Sequence, residues 1–297
     1  MTTRPDILCI GSVLWDVIGR TRLHMQPGAD VPGRIERLPG GVALNIAVTL
    51  TRFGLRPALL SSVGRDAEGD ALVATCEALG IQTQFLYRSE DLPTDRYMAI
   101  EGANGLVAAI ADAHSLEAAG AKVLRPLEDG ALGTECAPWR GLVALDGNLT
   151  EALLEEIAHA PAFAGADLRI APASPGKAER LLPFLRAGHG TLYVNLEEAG
   201  LLCQDRFDDA ETAAGALIGR GAARAIVTNG GQLCCDATAD GLLTALPPKV
   251  LVTRVTGAGD SFMAAHIAAE RDGADRPAAL ARALSAAAAH VSGDLAE

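Results

Sequence analysis

The chain has 297 residues, of which 49% are hydrophobic and only 4% aromatic, and its formal charge is −12. A nucleic-acid backbone or an anionic membrane surface demands clustered Lys and Arg, and no basic run of five or more residues occurs, so neither is expected as a partner. A core of Ala, Leu, Val and Ile suits layered helix and sheet packing, and the length fits one large α/β domain or two ordinary ones.

The six cysteines show no C-x-x-C spacing and sit among apolar segments. That usage reads as buried free thiols in a reducing, cytoplasmic compartment rather than as zinc ligands or disulfides. No window reaches about 18 charge-free apolar residues, and the opening MTTRPDILCIGSV has no basic segment followed by an uninterrupted apolar one, so neither a span nor a leader is expected.

In chain order, DILCIGSVLWDVIG predicts a first strand broken at Gly11, followed by a polar Gly- and Pro-rich stretch up to Pro39. VALNIAVTLTRFG changes to helical spacing and stops at Gly54, a carboxyl-terminal cap. PALLSSVG predicts a strand, EGDALVATCEALG a helix, and RYMAIE with GLVAAIA a hairpin joined by residues 102–105. From about residue 140 strands and helices alternate: GLVALDGN, TEALLEEIAHA, ADLRIAPAS, KAERLLPFLRAG, TLYVN, EEAGLLC, DAETAAGALIGRG and ARAIVTNGG. Such alternation specifies parallel strands with crossover helices on both faces of a sheet. Extended segments after Gly231 lead to VTGAGD, and two alanine-rich helices follow, the second from about Arg276 to Val291. The pattern parses as one α/β domain with a small excursion built from about 14–39 and 83–112.

Four places carry candidate chemistry. In VTGAGD, Gly257 and Gly259 permit a turn whose amides face one point, and the helix that follows adds its unpaired first-turn donors. A carboxylate at Asp260 either charges the first turn of that helix or takes a proton from a hydroxyl attacking a bound phosphoryl group. LPGGVALN sets Gly40 and Gly41 before a helix with Asn45 in its first turns, either a plain corner or a place where a small ligand meets backbone and amide. VNLEE places Asn195 and Glu198 at the carboxyl edge of the sheet, where they are able to share Mg²⁺ through oxygens or waters, while Glu197 is the solvated alternative. VTNGG ends another strand at that edge with Thr228 and Gly230, as phosphate contacts or a strand-ending turn. Asp16 reads as a hydroxyl acceptor or a turn residue, and the six histidines as surface or core residues, since none lies at metal spacing with another.

GG with Asn four positions later near residue 40, N-x-x-E at Asn195–Glu198 and TGAGD at Thr256–Asp260, in this order, resemble the ribokinase (PfkB) family of carbohydrate and nucleoside kinases over essentially the whole chain. The resemblance implies a ribokinase-like three-layer α/β/α sandwich, in one domain over residues 1–297, with a central mostly parallel sheet and a small β lid. It also implies ATP with Mg²⁺ as donor, and phosphorylation of a hydroxymethyl group on a small-molecule nucleoside or sugar. Asp260 would be the base and Gly257, Ala258 and Gly259 the anion hole; Asn195 and Glu198 would hold the metal. Asn195, Thr228, Gly230, Thr256, Gly257 and Gly259 would lie at the nucleotide, and Asp16, Gly40, Gly41 and Asn45 at the sugar. GGVALNIAVTLTRFG, TDRYMAIEGANGLVAAIAD and LVALDGNLTEALL most resemble the pseudouridine kinases of that family, which adds Thr94, Tyr97 and Asp112 as substrate-facing lid positions. Lid-bearing relatives often dimerise through their lids, so a homodimer is implied as well. Arg254 replaces the acid that often stands two residues before TGAGD, which weakens the case for a monovalent-cation site, and Ala171 replaces an Asp or Asn common in relatives. A nucleoside sensor on the same scaffold is the reading from another class; a dinucleotide oxidoreductase fails because CIGSVLWDVIG offers only Gly11 where three glycines are needed.

Overall fold

A computed structural model describes residues 4–293. The elements run β1 (Ile7–Ile10), β2 (Leu14–Arg20), β3 (Arg34–Gly40), α1 (Val42–Arg52), β4 (Pro57–Leu60), β5 (Ser62–Gly64), α2 (Ala67–Ala78), β6 (Tyr87–Ser89), β7 (Arg96–Gly102), β8 (Gly105–Asp112) and α3 (His114–Ala119). The chain continues with β9 (Leu142–Asp146), α4 (Glu151–His159), β10 (Asp167–Ala171), α5 (Leu182–Ala187), β11 (Thr191–Asn195), α6 (Leu196–Cys203) and α7 (Ala210–Gly219). It closes with β12 (Arg224–Thr228), β13 (Cys234–Thr238), β14 (Gly241–Ala245), α8 (Ala258–Arg271) and α9 (Arg276–Ser292).

Eight strands form the main sheet in the order β14-β13-β12-β11-β10-β9-β1-β4; the last six in that order are parallel and the β13–β14 hairpin is antiparallel. Side chains alternate across a strand, and here both faces are apolar. Leu8 and Ile10 of β1, Val143 and Leu145 of β9, and Ala225 and Val227 of β12 join a core with Leu153, Phe184 and Leu217 from the helices of one face. Ile7, Cys9, Ala144 and Ile226 point the other way, into a core with Leu44 and Leu50 of α1, Phe262 of α8 and Leu280 of α9. The result is the expected helix–sheet–helix sandwich. At 25 cal/mol per Å², each fully buried Leu or Ile contributes roughly 2 kcal/mol to it.

A second sheet, β3-β2-β7-β8, stands apart from the first. β2 pairs antiparallel with β3 and parallel with β7, and β7 with β8 antiparallel, so the early polar stretch supplies one half and the predicted hairpin the other. The excursion is narrower than 83–112: β6 leaves it to pair with β5. Gly11 divides the first apolar run because its φ is +151 and a Cβ there would lie 2.1 Å from Asp146 Oδ2. KAERLLPFLRAG and the residues before it form a short helix of the tighter, three-residue-per-turn kind over Pro175–Leu181 before α5, because Pro183 lacks the N–H a continuous α-helix requires. Five cysteines are buried free thiols; Cys136 is exposed, since its loop carries no apolar pattern to bury it.

Helix α8 is anchored at its far end. Glu270 pairs with both Arg169 and Arg224, which reach it from β10 and β12, and Arg224 also bonds Asp236 at 2.7 Å. His266, fully buried, meets the Tyr193 hydroxyl at 2.9 Å, and burial pulls its pKa down to about 4. These contacts tie the carboxyl-terminal half of α8 to the sheet, away from its amino terminus.

Candidate active site

Two helix amino termini face each other at the carboxyl edge of the main sheet, and they are treated differently. At α1 the first-turn amides are filled by the protein itself. Val42 N donates to Ser12 Oγ at 2.8 Å, Ala43 N to Asp146 Oδ2 at 3.0 Å, and Leu44 N to the Ser12 carbonyl at 3.3 Å. Asp146, fully buried at the end of β9, also accepts from Ser12 N at 2.7 Å and Asn148 N at 2.8 Å. Burial raises its pKa and these N–H groups oppose the rise. Asn148 extends the web, donating to Ser12 Oγ at 2.8 Å and accepting from Lys177 Nζ at 2.5 Å.

At α8 the amino terminus is open. Gly257 has φ +83 and caps the helix; Ser261 N bonds its carbonyl at 3.0 Å. The Ala258 amide, expected in the anion hole, instead donates to the Val255 carbonyl at 3.1 Å, because the turn that admits a left-handed Gly257 closes on itself there. Gly257, Gly259 and Asp260 retain amides that donate to no acceptor among the described residues. Aligned peptide dipoles make that end attractive to an anion.

Asp260 lies in the first turn of α8, partly buried, and accepts from Asn45 Nδ2 of α1 at 2.9 Å, a bond between residues 215 apart. Burial raises its pKa to about 7; the Asn45 bond opposes this, and the charges of Asp146, Asp16 and Glu198 add to it. A carboxylate titrating near neutrality is matched to accepting a proton from a hydroxyl in a transition state.

The paired glycines make room within the protein itself. A Cβ on Gly40 would lie 2.1 Å from Asp16 Oδ2, and one on Gly41, whose φ is +99, 2.4 Å from the Ser12 carbonyl oxygen. They leave room for the protein's own groups. Asp16 is thereby seated against β3, where burial raises its pKa to about 6. Register places Leu38 and Tyr97 beside it on one face of the small sheet, while Trp15, Arg96 and Asp112 project from the other. Asp112 therefore does not face the site; it is exposed and bonds His114 Nδ1 at 2.9 Å. Thr94 is buried, with its amide and hydroxyl on Asp66 at 2.8 and 2.7 Å, so it holds the amino terminus of α2 rather than a substrate.

Asn195 and Glu198 form a capping box: Asn195 Oδ1 accepts from Glu198 N at 2.9 Å and Glu198 Oε2 from Asn195 N at 2.8 Å. This accounts for N-x-x-E by helix capping alone. Glu198 is buried, which raises its pKa to about 7, and Glu197 is exposed, as the alternation at a helix start requires. Among the described residues Glu198 Oε1 takes no hydrogen bond, and one carboxylate oxygen with waters and phosphate oxygens is a donor set that Mg²⁺ accepts. No group of three or more His, Cys, Asp or Glu side chains suited to a metal occurs among the described residues. Thr228 pairs with Asn195 across β12 and β11, and Gly230, at φ +54, has open space around it. Asn195, Thr228 and Gly230 line a cleft of about 990 Å³ together with Leu196, Leu201 and Phe207. The Thr256 side chain is exposed, and its carbonyl accepts from His290 Nε2 at 2.8 Å. His290 and Asp146 were legible only as a helix-end histidine and a strand-end acid; nothing local marks their partners.

A mostly parallel α/β sandwich with an open helix terminus, a near-neutral carboxylate beside it and a small sheet alongside defines a phosphotransferase with an alcohol group as acceptor. The chain belongs to the pfkB family of carbohydrate kinases, whose family model matches residues 4–295. It is 29% identical over 275 residues to the pseudouridine kinase of Escherichia coli, covering 89% of this chain and 83% of that one. A carbohydrate kinase structure from Agrobacterium tumefaciens superposes with a TM-score of 0.79 at 26% identity, covering 95% of this chain and 89% of the other. The Arabidopsis thaliana ribokinase in complex with ribose and ATP superposes at 0.75 with 18% identity, covering 97% and 93%, a likeness of fold.

Proposed function

We propose that the protein transfers the γ-phosphoryl group of ATP to the 5′-hydroxyl of a nucleoside, pseudouridine above all. The observation that carries the reading is the Asp260 carboxylate, bonded to Asn45 and set beside three undonated amides at the start of α8. Asn45 fixes the carboxylate while its other oxygen is left for the acceptor hydroxyl. As that hydroxyl attacks phosphorus, its proton passes to Asp260. The amides of Gly257, Gly259 and Asp260 stabilise the charge redistributed over the transferring oxygens, a contribution of roughly 3 kcal/mol for one well-placed donor. Asp16, seated by Gly40, accepts from a sugar hydroxyl and so orients the 5′ group. The polyphosphate runs toward Thr228 and Gly230, with Thr256 flanking it. Mg²⁺, reached by Glu198 and by Asn195 through waters, would neutralise charge between the phosphates.

Pseudouridine is favoured over ribose, adenosine, inosine or a sugar phosphate by the relative that aligns over most of both chains. Tyr97, the one aromatic on the Asp16 face of the small sheet, stands where a base would stack. That sheet acts as a lid, and its outer face carries exposed Ile35, Met98, Ile100 and Ile110, which a second copy of the chain covers in a homodimer. The test is ATP-dependent formation of a nucleoside 5′-monophosphate across a panel of nucleosides and sugars, read by mass spectrometry. Turnover of ribose or adenosine without pseudouridine reassigns the acceptor. Nucleoside binding with no transfer at all makes the protein a sensor.

A further inference from the structure

The anion site at α8 depends on a peptide plane that the helix itself does not hold. Thr256 and Gly257 share one trans peptide, whose C=O and N–H point to opposite sides. Gly257, with φ +83 and ψ 0, is free of the steric limits that lock other residues, so this plane is able to flip. A flipped plane would aim the Thr256 carbonyl, an acceptor, at an incoming phosphate and turn the Gly257 donor away.

One side chain opposes the flip. His290, in the last turn of α9, places Nε2 at 2.8 Å from the Thr256 carbonyl and Nδ1 at 2.9 Å from Ser261 Oγ. A carbonyl only accepts, so Nε2 carries the proton, and in the neutral ring Nδ1 accepts from the serine hydroxyl, which fixes the tautomer. Burial and the nearby charges of Arg254 and Arg52 lower its pKa, which favours that form. The ring also lies against Gly257, where a Cβ would approach it to 3.1 Å. The segment leading in is tied to the same helix end. Thr253 N and Arg254 N donate to the Val291 carbonyl at 2.8 and 3.2 Å, and Arg254 Nε to the His290 carbonyl at 3.0 Å. Unpaired carbonyls at the end of α9 thus anchor the approach to the turn, and the imidazole grips the turn at both sides of the open amides.

We propose that His290 is a positioning residue for phosphoryl transfer: by pinning the Thr256 carbonyl and the Ser261 hydroxyl it holds the Gly257 amide toward the transferring phosphate and keeps Asp260 in register with it. This rests on the kinase reading above for its chemical consequence, though not for the clamp itself. Three variants separate the two bonds. His290→Leu removes both while keeping apolar bulk; His290→Gln retains a donor at the Nε2 position; His290→Asn retains only an acceptor near Nδ1. Steady-state kinetics with the acceptor identified by the panel should show His290→Leu and His290→Asn losing ~10- to 100-fold in kcat. The acceptor KM should stay within ~2-fold, because the sugar contacts lie on other elements. His290→Gln should recover most of the loss. Hydrogen exchange of the peptide 254–262, read by mass spectrometry on the unliganded protein, should quicken in His290→Leu and return toward wild type in His290→Gln. Wild-type kcat in His290→Leu, or His290→Gln as impaired as His290→Leu, overturns the proposal, as does unchanged exchange in that peptide. If the wild-type protein phosphorylates nothing in the panel, the kinase reading is what has failed, and the exchange data still report whether His290 holds the turn. Should His290→Leu not fold, His290→Asn against His290→Gln makes the same comparison.

Discussion

Replacing Asp260 by Asn should abolish turnover and at the same time stabilise the protein, in a pH-dependent way. Asn keeps the shape and still accepts the Asn45 amide through its carbonyl oxygen, but it has no lone pair basic enough to take the acceptor's proton. A general base of this kind contributes ~10²- to 10⁴-fold, so kcat should fall by that factor with nucleotide affinity nearly unchanged. The stability effect follows from the raised pKa. Burial, reinforced by the charges of Asp146, Asp16 and Glu198, lifts Asp260 from 3.8 to about 7. At 1.36 kcal/mol per pH unit, ionising it in the folded state costs at most about 4 kcal/mol, and solvent reaching a partly exposed carboxylate reduces this to about 2 kcal/mol. Because the folded value lies above the unfolded one, the neutral acid's contribution is complete below about pH 4 and is lost as pH climbs through about 7. Asn never ionises. The two proteins should therefore melt together near pH 4, separate between pH 4 and 7, and differ above pH 7 by ~4 °C in favour of the variant. Differential scanning fluorimetry across that range reads the effect, and wild-type kcat/KM should rise with pH through about 7, since that ratio titrates groups of the free enzyme. An Asn variant with wild-type kcat, or one that gains no melting temperature at pH 8, refutes the assignment of Asp260 as a base held near neutrality by burial.

Gly40→Ala and Gly41→Ala should behave oppositely although they are neighbours. At Gly40 the obstacle is the movable Asp16 carboxylate, so the melting temperature should hold while the acceptor KM rises ~10-fold; at Gly41 the obstacle is Ser12 backbone at positive φ, so the fold should lose more than about 2 kcal/mol in a urea titration. Glu198→Gln preserves the capping box through its amide oxygen but removes a carboxyl held at about 7, so calorimetry should show weaker Mg²⁺–ATP binding and about half a proton fewer released per ion near pH 7. Met98→Lys combined with Ile110→Lys charges the outer face of the small sheet and should convert a dimer into a monomer in sedimentation velocity; an unaltered sedimentation coefficient removes that face from the interface.

What the sequence conveys about this molecule divides by distance along the chain. The layering was legible because each strand's apolar residues alternate into two cores, and the stop of α1 was legible because Gly54 supplies the positive φ that follows it. Asp260 as the charged member of a glycine turn is equally local. Contacts between distant segments were not legible: Asp146 caps a helix 103 residues away from it, and Asn45 meets Asp260 across 215. The capping box at Asn195 is a different case, since N-x-x-E before an apolar stretch is a helix-start signature in its own right. The structure shows that capping role directly. Asp112 shows why strand membership alone is a poor guide to facing: one residue of register moves a side chain to the other side of the sheet, and Asp112 lies one position away from the Tyr97 row.

On the proposed function, the two helix termini explain how a chain of net charge −12 would hold a polyanion without a basic patch. Both present the same backbone donors and the same dipole sign, so sequence alone, glycine before helix in each case, treats them as equivalents. Asp146 abolishes the equivalence. By filling the first turn of α1 with a buried carboxylate it removes that helix as a competitor for phosphate and adds a negative charge that Asp260 senses. The same charge helps hold Asp260 near neutrality. On the proposed function the anion is therefore steered to α8, the one of the pair with undonated amides, and Asp260 beside it is kept able to receive a proton by the carboxylate that closed the other terminus.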